Sequence, residues 1–342
     1  MCAEQYSVLA CWVIKKRIMD NVRITVFADP VCTWCWGSVP VLRAVEYRFG
    51  NQVEVKYVMG GMIEDVVSFM EHRGSPGGNI ALLNRNIHAG WIEASEKHGM
   101  PVATGGFHLF SNERRSSVPQ NLAYIASEMY AQRGGRIVKP DMPCHFLRVL
   151  QENTAVDAAV TNDTEVLVGL AAMVGMDTAI FRELLAGNEV KERYKVAKKM
   201  CARYEVNRFP TFLLEYRGEE KMIRGYIPWD QMQRSIVQLS KGTVTLCADG
   251  REQPTAVNVE KFIAKHGTAY PVEVATAFSL ERREGHPALY SESYVGLSDI
   301  MAGLVENGNV AMVPKGNGFM FYALKNGATV SQIRGRERAG VL

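Results

Sequence analysis

Two cysteines separated by two residues, Cys32 and Cys35, are the side chains of this 342-residue chain best placed to do chemistry. They stand in the run Asp29-Pro30-Val31-Cys32-Thr33-Trp34-Cys35-Trp36-Gly37, where a strand pattern gives way to a helix pattern. A pair at that spacing can close a small disulfide and open it again. At a helix start the first sulfur meets backbone N–H groups that lack partners, and these donors with the helix dipole favour the thiolate. Cys32 is therefore the expected nucleophile and Cys35 the expected resolving thiol. Asp29 is a candidate modulator, because a carboxylate facing the sulfur opposes the thiolate. Trp34 and Trp36 offer apolar area beside the pair on which an extended peptide could dock.

Zinc and plain burial are the competing uses of such a pair. A structural zinc takes about four ligands, whereas Cys2, Cys11, Cys144, Cys201 and Cys247 are scattered singly. The seven histidines show no His-x-x-x-His spacing. No metal and no cofactor are expected. A second informative run is Asn207-Arg208-Phe209-Pro210-Thr211. Pro210 stands at the entrance of a strand pattern, where a missing N–H is tolerated at a first or edge position. A cis Phe209–Pro210 bond there would bend the main chain and present the backbone groups of Phe209 to a bound peptide.

The elements that must position these residues follow from periodicity. Arg23 to Ala28 reads as a strand, Cys35 to Phe49 as a helix stopped by Gly50, and Val53 to Met59 as a strand closed by Gly60-Gly61. That is a βαβ unit with parallel strands and a right-handed crossover. A helical stretch follows, with helices over 79–98, 119–132, 143–151, 165–174, 178–185 and 190–204, and with Asp177 and Asn188 as N-caps. Strands at Thr211 to Tyr216 and Lys221 to Tyr226 flank the turn Arg217-Gly218, and a helix covers Trp229 to Leu239. Two strands across a tight turn add in antiparallel fashion, so the sheet is expected to be mixed. Helices over 257–265, 271–278 and 297–305 then precede a glycine-turned hairpin, the order of a winged-helix module.

Composition bounds the function. Apolar residues make up 47% of the chain and charged residues 22%, which suits a chain with a substantial core. The formal charge is only +3, from 39 basic and 36 acidic residues, so no region announces a nucleic-acid partner. Ser298, Asp299, Ala302 and Glu306 leave the helix around Leu297 to Val305 without positive charge, and Lys315, Lys325 and Arg334 add little. Protein contact or homodimerisation is the expected role of this unit ahead of DNA binding. The odd count of seven cysteines suits a reducing compartment with one active pair, and a cytoplasmic location is expected. Tyr6 to Ile14 is apolar, but Lys15-Lys16-Arg17 follows it, the reverse of a secretory signal, and no membrane span is expected.

Three matches together resemble the thioredoxin-fold proteins of the DsbA family, and more narrowly its cytoplasmic branch of predicted protein-disulfide isomerases. They are the Asp29-Pro30-Val31-Cys32-Thr33-Trp34-Cys35-Trp36-Gly37 run, Phe209-Pro210-Thr211-Phe212, and the helical insertion between the second strand and that proline. The resemblance covers about residues 22–240 and implies an α/β thioredoxin fold with a large helical insertion, to which the order of the later elements adds a small C-terminal winged-helix-like α+β unit. It assigns 22–61 and 206–240 to the thioredoxin-fold domain and 62–205 to the insertion. Around these lie a disordered extension at 1–21, a linker at 241–255, the winged-helix-like unit at 256–330 and a tail at 331–342. It further implies a thiol-disulfide oxidoreductase or disulfide isomerase in which Cys32 attacks, Cys35 resolves, and cis Pro210 with Phe209 before it holds substrate backbone, beside the apolar docking area of Trp34 and Trp36. The partner would be a protein or peptide carrying a thiol or disulfide, with a small-molecule thiol as candidate reductant. Thioredoxins commonly place a buried Asp six residues before the first cysteine. That position here is Val26, which leaves the proton acceptor for Cys35 unassigned. A related branch with a similar cysteine region consists of adaptors that deliver transcription factors to a protease, so a redox-responsive protein-interaction adaptor is the alternative.

Overall fold

A computed structural model describes residues 21–74, 78–132 and 141–324. The expected N-terminal extension up to residue 20, Cys2, Cys11, Lys325, Arg334 and the C-terminal tail lie outside the described residues.

Four strands form the first sheet: β1 (Val22–Ala28), β2 (Val53–Met59), β3 (Thr211–Tyr216) and β4 (Glu219–Arg224), in the order β2-β1-β3-β4. β1 pairs with β2 in parallel and with β3 antiparallel, and β4 continues antiparallel. The sheet is mixed, as the turn at Arg217-Gly218 implies. Both turn residues take positive φ, and the handedness such a turn needs to join twisted strands supplies the reason. β1 is central and covered on both faces, which is why six of its seven residues are buried. Its alternation sends Ile24 and Val26 into the larger core and Phe27 into a small cluster with Cys201 and Leu213.

Between β1 and β2 the chain makes α1 (Thr33–Gly37) and α2 (Val39–Phe49). The single helix expected over 35–49 is broken at Ser38, because Pro40 sits in the first turn of α2 and cannot donate to the preceding turn. After β2 come α3 (Val66–Glu71), α4 (Ile80–His98), α5 (Val118–Ala131), α6 (Met142–Ala155), α7 (Thr164–Met173), α8 (Thr178–Ala186) and α9 (Asn188–Arg203). Asp177 caps α8 by accepting from Ile180 N at 3.0 Å. Asn188, expected as a cap, is the first residue inside α9, and Gly187 holds the cap position. Helices α5, α6 and α8 bring Ala126, Phe146 and Phe181 against Ile24, Phe212 and Leu214 in one core.

α10 (Trp229–Leu239) completes the sheet-bearing part. The rest is a small α+β unit of α11 (Ala256–His266), β5 (Thr268–Ala269), α12 (Pro271–Ala277), α13 (Leu297–Glu306), β6 (Val310–Lys315) and β7 (Gly318–Ala323). Its antiparallel sheet has the order β5-β7-β6. This unit shares its core with the rest: Phe262, Tyr270 and Phe321 pack in one cluster with Trp36, Tyr47 and Trp91. The 241–255 segment is pinned to α2, with Cys247 N donating to the Arg48 carbonyl at 2.7 Å and the Tyr47 hydroxyl donating to the Arg251 carbonyl at 3.0 Å.

A buried ion cluster ties the joint. Arg148 of α6 grips Glu273 of α12 with two parallel bonds of 3.0 and 3.1 Å, and Arg43 of α2 reaches the same carboxylate at 2.9 Å. Glu273 is wholly buried and also accepts from Tyr270 N at 2.8 Å, so its oxygens are fully engaged. Paired, bidentate geometry of this kind is what a buried carboxylate–guanidinium contact needs to offset its desolvation.

Candidate functional site

Cys32 occupies the N-cap position of α1, and Cys35 lies inside its first turn. Both thiols are free, 4% and 5% exposed. The Cys32 Sγ–H donates to the carbonyl of Phe209 at 3.4 Å, which brings together the two runs singled out in the sequence. The Phe209–Pro210 peptide bond is cis, and Pro210 is buried behind its neighbour. The Phe209 ring rests on Gly60, where a Cβ would stand only 2.2 Å from the ring, so glycine is required for the loop to approach. A groove of about 1460 Å³ opens here, lined by Cys32, Trp34, Phe69, Trp91, Phe209 and Tyr226 among others. Cys35 does not line it.

The Cys35 thiol is held well above its ordinary value. Burial is the largest cause, followed by the bond to Cys32 and the neighbouring charges of Cys32 and Asp29. Val26, in the position where a base would help, is buried in the core. The one neighbour that favours ionisation of the resolving thiol is a backbone hydrogen bond at Asp29, and burial outweighs it.

Asp29 is fully buried and does a different job from the one its place in the motif suggests. Its carboxylate accepts from Val31 N at 2.8 Å, Met62 N at 2.7 Å, the Ser117 hydroxyl at 2.8 Å and Asn121 Nδ2 at 2.9 Å. One side chain thus fastens the thiol loop to the segment after β2 and to the start of α5. Burial pushes the carboxyl above its usual value, against four hydrogen bonds that favour the charged form.

The two tryptophans part company. Trp34 borders the groove, 5.6 Å from the rings of both Tyr226 and His98. Trp36 is 1% exposed and faces inward, so its expected role in binding substrate is corrected. Its indole N–H donates to the Pro101 carbonyl at 2.8 Å, its ring meets Tyr270 edge-on, and the Arg148 guanidinium lies 4.5 Å over it. Two residues along a helix turn the side chain through roughly 200°, so neighbours at i and i+2 never share a face.

His98, at the end of α4, is a site residue that the sequence does not reveal. Its Nδ1 accepts from Met100 N at 3.1 Å, which leaves the proton on Nε2 to donate to Thr33 Oγ1 at 3.4 Å. Burial holds the ring neutral, with its pKa down at about 3. The ring lies flush on Gly37: a Cβ there would stand 2.4 Å from His98 Cγ. The only local signal is a histidine directly before Gly99, which reads as an ordinary helix end. Among the described residues no three His, Cys, Asp or Glu side chains converge as a metal set would.

The comparisons with known proteins separate fold from function. The chain is 23% identical over 278 residues to the ClpXP adapter protein SpxH of Halalkalibacterium halodurans, covering 80% of this chain and 84% of that protein. It is 22% identical over 223 residues to the ClpXP adapter protein SpxH of Bacillus subtilis, covering 64% and 67%. Among solved structures, that of a candidate protein disulfide isomerase from Nitrosomonas europaea superposes with a TM-score of 0.51 at 19% identity, covering 65% of this chain and 96% of that one; at this identity the likeness concerns the fold alone. The expectation of a DsbA-family thiol-disulfide oxidoreductase or disulfide isomerase is therefore corrected. The curated relatives are named as adapters, and a two-cysteine motif does not by itself signify turnover. No helix among the described residues is long and apolar enough to cross a membrane. The family model described as Thioredoxin matches residues 25–227, more than half of the sequence, and the chain belongs to the thioredoxin family.

Proposed function

We propose that this chain is a redox-responsive adapter that holds a client protein and delivers it to a ClpXP-type protease. The observation that carries this reading is the similarity to ClpXP adapter proteins over 278 residues, a longer span than the thioredoxin match alone. The geometry supports it. A groove open beside Cys32 suits docking, while Cys35, buried and hard to ionise, suits slow response better than rapid turnover. Oxidation would transfer two electrons and two protons from the Cys32/Cys35 pair to a small disulfide such as oxidised glutathione, leaving an intramolecular disulfide and two molecules of reduced thiol. The new S–S bond removes the Cys32 proton now donated to Phe209, so it alters the wall of the groove. The cytoplasmic location expected from the scattered cysteines goes with this reading.

The test is degradation itself. Purified ClpXP with ATP and soluble cell protein is followed by quantitative mass spectrometry, with and without the chain. A small set of proteins should disappear faster when the reduced chain is present and more slowly when it has been oxidised, whereas Cys32→Ser, which forms no disulfide, should act like the reduced chain under both conditions. If the turnover of every protein is unchanged by the chain, the adapter reading fails; equal acceleration by reduced and oxidised chain removes the redox dependence.

A further inference from the structure

The groove beside Cys32 carries a surplus of positive charge that thiol chemistry does not require. Arg73, Lys198, Arg208 and Arg224 line it, against the carboxylates of Glu64 and Asp65. Both carboxylates are already engaged: Glu64 lies 3.0 Å from Lys198 Nζ, and Asp65 pairs with Arg115 at 2.7 Å. Among the described residues, the guanidinium groups of Arg73, Arg208 and Arg224 have no carboxylate partner. Arg73 rests 4.2 Å over the Phe69 ring, and Arg224 Nη2 donates only to the Tyr204 carbonyl at 3.5 Å.

The placement of these arginines matters more than their number. Arg208 directly precedes Phe209, whose carbonyl takes the Cys32 thiol, and its Cδ comes within 3.8 Å of where a Gly225 Cβ would stand. Arg224 is the residue before Gly225, and both arginines line the groove. Arg73, just past α3, stands with Phe69 on the side of the groove that α3 and α4 build. Planar forks of this kind match carboxylates with two parallel bonds. The groove, at about 1460 Å³, also exceeds the roughly 300–1,000 Å³ of a small-molecule site. Beside the charged groups the lining is aromatic, with Trp34, Tyr226, Phe69 and Trp91.

We infer that the Cys32 groove selects an extended client segment rich in acidic residues, its carboxylates met by Arg208, Arg224 and Arg73 of the groove lining. This rests on the adapter reading and names the chemistry of the partner. Lysine at these positions would give the same charge without the paired donors, so the arginine forks favour side-chain carboxylates in a defined orientation.

The experiment is fluorescence anisotropy with the full chain, reduced, and a fluorescein-labelled glutamate-rich peptide with a central leucine, compared with its lysine-for-glutamate counterpart. The glutamate peptide should bind more tightly, and its affinity should fall as NaCl is raised from about 50 to about 300 mM. R208A and R224A should each weaken it about three- to tenfold and the pair more than either, as loss of charge-assisted bonds at a partly desolvated rim predicts. K241A, away from the groove, should bind as wild type. Equal affinity for the two peptides, or wild-type binding by R208A and R224A, would overturn the charge selection. Client delivery would still stand or fall separately in the degradation assay. Displacement of the peptide by about 1 mM reduced glutathione would assign the rim to a small anionic thiol and likewise overturn the segment.

Discussion

Removing the Asp29 carboxylate should loosen the thiol loop by an amount that can be worked from its bonds. Of its four donors, two keep another partner when the carboxylate is lost: Asn121 Nδ2 also donates to the Ser117 carbonyl at 2.8 Å, and the Ser117 hydroxyl also reaches the Ile63 carbonyl at 3.3 Å. The backbone N–H groups of Val31 and Met62 bond to the carboxylate alone. A buried donor left unsatisfied costs about 1–3 kcal/mol, so Asp29→Ala should cost about 2–6 kcal/mol, less whatever is regained by not burying a carboxyl group. Asp29→Asn should cost less, about 1–3 kcal/mol, because an amide oxygen in place of Oδ2 keeps three of the bonds and turns its NH2 toward Val31 N. Urea denaturation followed by tryptophan fluorescence measures both. The pH dependence adds a second check. The folded-state pKa of Asp29 is raised above its usual value, so the folded protein holds this proton better than the unfolded chain does. That contribution is present at low pH and lost as pH rises through the folded pKa. The deficit of Asp29→Asn relative to wild type should therefore widen on acidification from pH 7. An Asp29→Ala protein as stable as wild type would refute the bracket that Asp29 is argued to form.

Two further predictions use His98. Gly37→Ala places a methyl 2.4 Å from a buried, rigid imidazole and should destabilise the fold by about 1–3 kcal/mol, read as a lower Tm; His98→Ala in the same chain should recover part of that loss, and strict additivity would show that the two residues do not touch in this way. His98 and His266 have folded pKa values lowered by burial to about 3 and about 2, so the unfolded chain takes up their protons first and stability falls as pH drops below about 6.5. Unfolding free energies from urea denaturation at pH 7.5 and 5.5 should differ by up to about 1.4 kcal/mol per histidine, and the same pH difference in wild type and His98→Gln would remove His98 from the account.

Much of the framework could be read from local pattern, because local physics produces it. Helix periodicity located α4 to α9 within a few residues, and Asp177 announced itself as a cap because its side chain bonds three residues on. The meeting of Cys32 with Phe209 was also legible, through the resemblance that pairs the two runs. What escaped has no local trace. α3 has six residues, too few for a period to register, and β5 has two. The contact of His98 with Gly37 joins residues from different helices, and nothing near either residue marks it. Trp36 was misjudged for a reason that helical geometry already contained: its neighbour Trp34 took the groove, so Trp36 had to face away from it. The arginines of the rim are unremarkable in a chain whose positive and negative residues nearly cancel, and only folding brings them around one opening.

The cluster of Arg43, Arg148 and Glu273 bears on how such a chain can be inherited. The second tryptophan of the thiol motif lies under Arg148 and against Tyr270, and Arg148 is neutralised by a carboxylate from the far end of the sequence. A recombination event that exchanged the C-terminal unit for a stranger would leave Arg43 and Arg148 without Glu273, with Glu152 at 3.3 Å from Arg148 as the remaining carboxylate, and would carry a penalty before any partner is considered. The thiol motif and the C-terminal unit are thus bound to be transmitted as one heritable piece, and change in either is limited to what the other will accept.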